Sequence, residues 1–292
     1  MKYFLLFLFF FSVSALAEDE VKIDQIRKEY NSLLEKRYVL LPHKGNFFIP
    51  FSYNNTPNKE VYESLTSREE FKKRGEFNRE LEAEFQISFL VLVGKEIFNS
   101  EFNVFLGYTH RSWWQVYNGD WSRQFRETNY EPEIFARRLF ENTRNIFGMN
   151  FFGYDIGYVH QSNGQIQELS RSWDRLFARV FFNVGKVLIS PTIWYRLPDT
   201  DNIDENPNTK EYIGHGELLI QRSFGRNQFR FKILPGIHKM GTEFSYSFPL
   251  NKGLRYYLKL NYGYGHSLID YDKKTERIGI GFIISDLFSR AR

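Results

Sequence analysis

Hydrophobic and polar residues alternate along much of the chain, most clearly over residues 80–93. Apolar side chains occupy every second position from Leu81 to Val93, and polar side chains occupy the positions between them from Glu80 to Ser88. Because successive side chains of a strand point to opposite faces, this segment is predicted to be a strand with one apolar and one polar face. Glutamates on the polar face cannot face lipid, so we expect a hydrated lumen behind them. Cationic partners are expected on later strands: Arg111, Arg137 and Arg175.

Similar alternation predicts eleven further strands, which are, with approximate bounds, Asn46–Tyr53, Phe102–Val116, Tyr130–Asn142, Met149–Ser162, Ser172–Val184, Lys186–Leu197, Tyr212–Phe224, Gln228–His238, Thr242–Leu250, Leu254–His266 and Glu276–Phe288. Short connections, typical of periplasmic turns, are expected at Asn183–Lys186, Gly225–Asn227 and Asn251–Gly253. Long connections, typical of extracellular loops, are expected at Tyr117–Asn129, Asn163–Arg171, Pro198–Glu211 and Ser267–Thr275. An even number of strands is usual for a bacterial single-chain barrel. The sequence therefore predicts an all-β fold, a twelve-stranded antiparallel transmembrane β-barrel.

The chain is predicted to have three parts. Residues 1–17 combine Lys2, an apolar run and small residues before Ala17, which is typical of a cleaved signal peptide. Residues 18–45 are predicted to form an N-terminal periplasmic segment with a short charged helix or a mobile arm, most simply a solvated leader. Residues 46–292 would form the barrel, whose last strand ends at the aromatic Phe288.

Composition supports a barrel over a soluble periplasmic protein. Aromatic residues make up 18% of the chain, with 31 Phe, 18 Tyr and 5 Trp, although the mean hydropathy is −0.46. Many rings in a polar sequence fit an apolar outer band, aromatic girdles and a polar interior. The chain has no cysteine, so disulfides and a lipoprotein anchor are excluded. The net charge of +4 is scattered, and no basic patch indicates nucleic acid as a partner.

Candidate chemistry lies in a predicted hairpin from Tyr154 to Phe182. His160 and Ser162 share the apolar face of its first strand, and Asp174 lies on the apolar face of the second, at the same end. In this arrangement Ser162 would be a nucleophile, His160 its general base and Asp174 the residue that orients the imidazole. An H-x-S triplet is common by chance, but a carboxylate on the matching apolar face is expected only where it has a polar partner.

Several motifs together resemble the outer membrane phospholipase A family of Gram-negative bacteria. They are HQSNG at His160–Gly164, SRSWDR at Ser170–Arg175, SWWQ at Ser112–Gln115, FRETNYEPE at Phe125–Glu133 and GYGHSLIDY at Gly263–Tyr271. The resemblance implies an outer membrane enzyme that hydrolyses acyl esters of phospholipids and lysophospholipids, with A1 and A2 specificity and an active site facing the outer leaflet.

The resemblance also implies calcium dependence and activation as a homodimer. Calcium would serve the oxyanion through bound water, held by the Ser170 hydroxyl, the Gln165 carbonyl and, from a second copy, the Ser122 carbonyl. The Gly164 N–H beside the nucleophile is the natural oxyanion donor. The chain departs from the family at three sites, since Asp174 replaces the usual Asn, Gln167 replaces a frequent acid and His110 replaces an interface Gln.

The alternative function is a catalytically silent porin or structural barrel. A porin needs an open lumen and has no use for a histidine and a serine on its lipid face, so this pair favours the enzyme. Other hydrolase classes have little support, because the chain has no G-x-S-x-G elbow, no H-E-x-x-H motif and no P-loop. The aromatic face around His110, Trp114 and Tyr158 would form the dimer interface, or else an ordinary aromatic girdle.

Overall fold

The structure is a computed structural model that describes residues 23–35, 40–71, 75–199, 204–251 and 253–284. The predicted signal peptide and Phe288 lie outside these ranges. The strands are β1 (Leu41–Pro42), β2 (Asn46–Asn54), β3 (Leu81–Gly94), β4 (Asn103–Trp114), β5 (Phe125–Ile146), β6 (Met149–Ser162), β7 (Ser172–Val184), β8 (Val187–Arg196), β9 (Gly216–Phe224), β10 (Asn227–Pro235), β11 (Met240–Pro249), β12 (Leu254–Gly263) and β13 (Thr275–Ile284). The helices are α1 (Ile23–Leu34), α2 (Glu63–Thr66) and α3 (Thr209–Tyr212), with 3₁₀ turns at Glu60–Tyr62, Ile97–Asn99 and Gln167–Leu169.

Strands β2 to β13 form a closed antiparallel barrel, in which each strand pairs with its neighbours in the chain and β13 pairs with β2. The twelve-stranded prediction is therefore confirmed, and β1 is a short addition that pairs with β3 at Leu41 and Leu90. One predicted strand, Tyr212–Phe224, begins too early. Residues 209–212 form a helical turn, and Gly214 follows with a left-handed φ of 77°. A side chain there would collide with the Pro235 carbonyl, so the strand begins only at Gly216.

The two faces of β3 differ as the alternation predicts. Ile87 is half exposed on the outer wall, whereas Glu82 and Glu84 are buried inside. Their ion pairs lie inside the barrel: Glu82 binds Arg126 at 2.9 Å and Arg277 at 2.6 Å, while Glu84 binds Arg111 at 2.6 Å and also Lys259. These pairs fill part of the space that a porin would leave open, and they satisfy the buried charges.

Two of the three expected partners of the β3 glutamates are wrong. Arg111 does pair with Glu84, but Arg137 binds Asp155 at 2.7 Å, and Arg175 lies 3.6 Å from Glu131. The reason is register, since Arg137 lies directly opposite Asp155 in the β5–β6 ladder. Alternation predicts which face a side chain occupies but not its height along the barrel.

Helix α1 packs against the inside of the barrel. Ile26, Tyr30 and Leu34 follow at intervals of four residues and are buried. The Tyr30 hydroxyl accepts a hydrogen bond from Asn103 Nδ2 (3.2 Å), and its ring lies 6.1 Å from that of Phe105. The helix is therefore present, but the expectation of a solvated leader is wrong. No helix in the described ranges is long and apolar enough to cross a bilayer.

The connections at the two ends of the barrel differ in length. One end carries the connections 115–124, 163–171 and 264–274, together with those that join β2 to β3 and β8 to β9, while the other carries turns as short as Phe147–Gly148 and Gly185–Lys186. At the first end, the side chains of Tyr62, Phe77, Trp121 and Ile269 pack into a buried cluster that ties several long connections together. His160, Ser162 and Asp174 lie at this end, as the hairpin prediction requires.

Candidate active site

The β6–β7 hairpin places the candidate residues side by side. In its ladder His160 lies opposite Asp174, and Ser162 lies opposite Ser172. Ile156 and Leu176 occupy the same face farther down the two strands, and each is about half exposed, at 55% and 50%. The candidate residues therefore lie on the outer, lipid-facing wall of the barrel.

His160 and Asp174 are in direct contact. His160 Nδ1 lies 2.8 Å from Asp174 Oδ1, and the Tyr158 hydroxyl donates a hydrogen bond to the same oxygen. An ionised carboxylate only accepts hydrogen bonds, so Nδ1 carries the proton and Nε2 is left as the basic nitrogen. Ser162 lies two residues beyond His160 on the same face. No hydrogen bond joins Ser162 to His160 within the described ranges, so the structure forms one of the two contacts that a triad requires.

The loop after Ser162 is closed around the side chain of Asn163. Its amide donates to the Leu169 carbonyl (2.8 Å), and its Oδ1 accepts hydrogen bonds from the backbone N–H groups of Arg171 (2.9 Å) and Gln165 (3.3 Å). The Asn163 N–H also donates to the Arg171 carbonyl at 3.0 Å. These four bonds fix the conformation of Gly164, whose N–H is the candidate oxyanion donor.

The family model described as Phospholipase A1 matches residues 23–284. The chain is 34% identical over 250 residues to a putative phospholipase A1 of Neisseria meningitidis, covering 84% of this chain and 65% of that protein. It is 33% identical over 257 residues to phospholipase A1 of Proteus vulgaris, covering 86% and 83%. The chain belongs to the phospholipase A1 family.

Solved structures agree with this assignment. Outer membrane phospholipase A from Escherichia coli superposes with a TM-score of 0.76 at 31% identity, covering 87% of this chain and 94% of that one. The calcium-bound dimer of the Salmonella typhi outer membrane phospholipase gives a TM-score of 0.78 at 31% identity, covering 88% and 97%. This chain is thus an outer membrane barrel and a phospholipase, and the porin alternative is wrong.

The predicted calcium ligands lie in two loops of this phospholipase barrel. Gln165 and Ser170 belong to the 163–171 loop, where the Ser170 carbonyl accepts a hydrogen bond from Arg171 Nη1 (2.6 Å). Ser122 belongs to the 115–124 loop, and its carbonyl accepts one from Trp114 Nε1 (2.7 Å). Oxygen donors of this kind suit calcium. All three are neutral and the Arg171 guanidinium lies beside Ser170, so the residues fit a weak calcium site.

Two of the predicted interface residues, His110 and Trp114, belong to an aromatic patch on the same wall, in which the Phe125 ring contacts those of Phe85 and Trp114. His110 stacks on Phe85 with 5.8 Å between ring centroids and meets the edge of Tyr130 at 5.1 Å. Its Nε2 lies 2.8 Å from Ser112 Oγ, a neutral polar contact that holds the ring against the wall. The patch is continuous with the site, because Tyr130 lies opposite Ser162 in the β5–β6 ladder.

Two residues were missed by sequence reasoning as members of the site. Tyr158 was assigned to the interface, yet its hydroxyl binds Asp174. Asn163 was recognised only as part of a motif, yet it closes the loop. In the sequence, Tyr158 is recognisable by its position two residues before His160 on the same strand face. Asn163 is recognisable as part of an Asn-Gly pair at the start of a long connection.

Gly164 offers a test of the loop conformation. Its φ is 62°, and an added Cβ would approach Tyr130 Cε2 to 3.1 Å. Gly164→Ala should therefore lower kcat for ester hydrolysis by about tenfold, because backbone strain and crowding displace the N–H from the oxyanion. Gly185→Ala is the matched control, since its φ of 54° is also left-handed but its Cβ meets open space. Equal activity of the two variants in a micelle assay would contradict the assigned role.

Proposed function

We propose that the barrel hydrolyses acyl ester bonds of phospholipids and lysophospholipids by a Ser162–His160–Asp174 mechanism on its lipid-facing wall. The observation that carries the proposal is the His160–Asp174 hydrogen bond of 2.8 Å on that wall. A nucleophile beside half-exposed Ile156 and Leu176 suits a substrate that is itself in the membrane. The ester bond of a phospholipid lies near the membrane surface, so its acyl chain can stay among lipid tails during attack.

The reaction has two halves. His160 Nε2 takes the Ser162 hydroxyl proton while Oγ attacks the ester carbonyl carbon, and the carbonyl oxygen becomes an oxyanion facing the Gly164 N–H. His160 then returns the proton to the alcohol oxygen of the lysophospholipid or glycerophosphodiester as the ester C–O bond breaks. In the second half His160 takes a proton from water, the hydroxide attacks the acyl-serine, and Ser162 leaves with the proton restored. The products are the alcohol and a free fatty acid.

Asp174 stabilises the imidazolium that exists in both halves. It holds the productive tautomer through Nδ1, and its negative charge lies next to the developing positive charge. The Tyr158 hydroxyl donates to the same carboxylate oxygen, so it supplies part of the solvation that a carboxylate on a lipid-facing wall lacks.

We further propose that the enzyme is calcium-dependent and active as a homodimer. The Ser170 hydroxyl and the Gln165 carbonyl would hold the ion together with the Ser122 carbonyl of a second copy. When bound, calcium would supply positive charge near the oxyanion. The relative from Salmonella typhi was solved as a dimer with bound calcium, and the aromatic patch around His110 borders the site of this chain.

We also propose that the site faces the outer leaflet. In bacterial barrels long loops are extracellular and short turns periplasmic. Ser162 lies next to the 163–171 loop, at the end that carries the long connections.

The test of the proposed function is fatty acid release by the purified barrel in mixed micelles of detergent and phosphatidylcholine, with calcium or with chelator. Release of fatty acid with calcium is expected, and lysophosphatidylcholine should also be cleaved. A folded barrel that releases no fatty acid from either lipid at any calcium concentration would refute the proposal.

Asp174 allows a finer prediction, because the family usually carries Asn there. Asp174→Asn should retain activity within about tenfold, since the amide oxygen still accepts the Nδ1–H bond. Asp174→Ala should lose about 10³-fold or more, because tautomer and orientation are both lost. Both variants are compared by kcat in the micelle assay. If Asn were as inactive as Ala, charge rather than orientation would be the essential contribution of this residue.

A further inference from the structure

Glu127 is a buried carboxylate on the lumen side of the wall, near the start of β5 and behind the site. Its side chain accepts three hydrogen bonds from neutral groups and is only 1% exposed. Oε1 accepts from Asn129 Nδ2 (2.6 Å) and from the Ile269 backbone N–H (3.2 Å), and Oε2 accepts from Asn163 Nδ2 (3.3 Å). A buried carboxylate without a cation directly on it is costly, so such a residue requires a specific reason.

The three partners belong to three different segments of the chain, and the mechanism assigns no role to any of the three. Glu127 and Asn129 lie in the FRETNYEPE motif, Ile269 lies in the GYGHSLIDY motif, and Asn163 lies in the HQSNG motif. A parallel bond reinforces the junction, since Asn129 Oδ1 accepts from the Leu268 N–H at 3.0 Å. Glu127 therefore joins the start of β5 and the 264–274 connection to the loop that follows the nucleophile.

Asn163 transmits this contact to the catalytic face. Its backbone follows Ser162 directly, and its side chain enters the lumen, where it binds Glu127 through the same amide that donates to the Leu169 carbonyl. Its oxygen holds the backbone N–H groups of Gln165 and Arg171. A shift of Asn163 would therefore move Gly164, which lies between Asn163 and Gln165, out of place.

We propose that Glu127 is a positioning residue, which holds Asn163 from the lumen side and so aims the Gly164 N–H at the oxyanion on the lipid side. This inference rests on the proposed serine-hydrolase function. This role accounts for the three hydrogen-bond donors around the buried carboxylate. It also connects three separate motifs to the position of the Gly164 N–H. Glu127 itself does not touch the substrate.

Glu127→Gln separates this role from general packing, because Gln keeps the shape and replaces one acceptor by a donor. Its NH₂ at the Oε1 position would face two donors, whereas at the Oε2 position it faces only Asn163 Nδ2. The second orientation is less costly, so the substitution breaks mainly the bond to Asn163. Flipping Asn163 cannot repair it, because that would break the bonds to Leu169, Gln165 and Arg171.

The expected result for Glu127→Gln is a loss of about tenfold in kcat with an unchanged KM, the signature of a contact that matters in the transition state. Glu133→Gln is the matched control, because Glu133 is buried on the same face of β5 but binds His43 (2.5 Å) and Lys44 (3.2 Å) instead. Both barrels should keep the different gel migration of boiled and unboiled samples. Normal kcat in Glu127→Gln, or loss of the assembled form, would overturn the positioning role.

A charge swap provides the second test. Asn163→Asp alone places two carboxylates face to face and should lose more activity than Glu127→Gln. In the Glu127→Gln/Asn163→Asp double variant the amide introduced at position 127 can donate to the new carboxylate, so kcat should recover at least about threefold over Asn163→Asp alone. No recovery would refute the coupling. Ser162→Ala distinguishes failure of the positioning role from failure of the proposed function. Retained turnover in that variant would refute the proposed function itself.

Discussion

Replacing Ser162 with alanine should lower fatty acid release by about 10⁴-fold or more while leaving the barrel assembled. The hydroxyl is the only group at this position that can form the acyl-enzyme, and removing it leaves a folded strand end. His160→Ala should cause a similar loss, because the proton of Ser162 then has no acceptor. The measurement is kcat in mixed micelles, with assembly checked by the migration of boiled and unboiled samples in gels.

Ser172→Ala is the matched control for the nucleophile. Ser172 lies directly opposite Ser162 on the same wall, and its hydroxyl donates to Glu205 Oε2 (2.9 Å). This variant should keep most of its activity. A long-chain sulfonyl fluoride should label Ser162 in the wild-type barrel and in Ser172→Ala, and should label nothing in Ser162→Ala. Turnover within tenfold of wild type in an assembled Ser162→Ala barrel would remove Ser162 as the nucleophile.

The candidate catalytic pair was predictable from sequence because strand geometry is regular. A period of two fixes the face of every side chain, and a hairpin brings the ends of its two strands together. His160 and Asp174 could therefore be placed on one face at one end, and the ladder indeed pairs them. The donation from Tyr158 to Asp174 was missed, because alternation does not say which of several side chains on a face reaches a given oxygen.

Lumenal contacts could not be predicted in the same way. Lys259 reaches Glu84 from β12, and the Ile269 N–H reaches Glu127 from the 264–274 connection. Both contacts exist only after the barrel has closed. They therefore depend on the relative positions, along the barrel axis, of segments that are far apart in the chain. The burial of α1 was also not predicted, because most of its residues are charged or polar. Ile26, Tyr30 and Leu34 form the apolar face that packs inside the barrel.

Calcium removal should cause the second large effect, a loss of about 10²-fold or more in fatty acid release. The proposed ligands in this chain are neutral oxygens, and calcium sites with fewer charged ligands bind the ion more weakly. Half-maximal activity is therefore expected at about 10⁻³ M calcium. Ser170→Ala removes one ligand oxygen without adding bulk, and should raise the calcium concentration required by about tenfold. Activity is titrated with calcium after chelation, at fixed detergent and lipid.

The reason to expect a dimer is that a lipid hydrolase exposed on its own barrel wall must be kept idle in an intact membrane. A site completed by the Ser122 carbonyl of a second copy satisfies this requirement, because dilute monomers in a tight bilayer rarely meet. Calcium and a substrate-like acyl sulfonate together should thus shift the protein from monomer to dimer in cross-linking and sedimentation. Ser170→Phe should block both the shift and the activity in an assembled barrel. Full activity in excess chelator, from a species that cross-linking shows to be monomeric, would refute both the calcium site and the regulation by assembly.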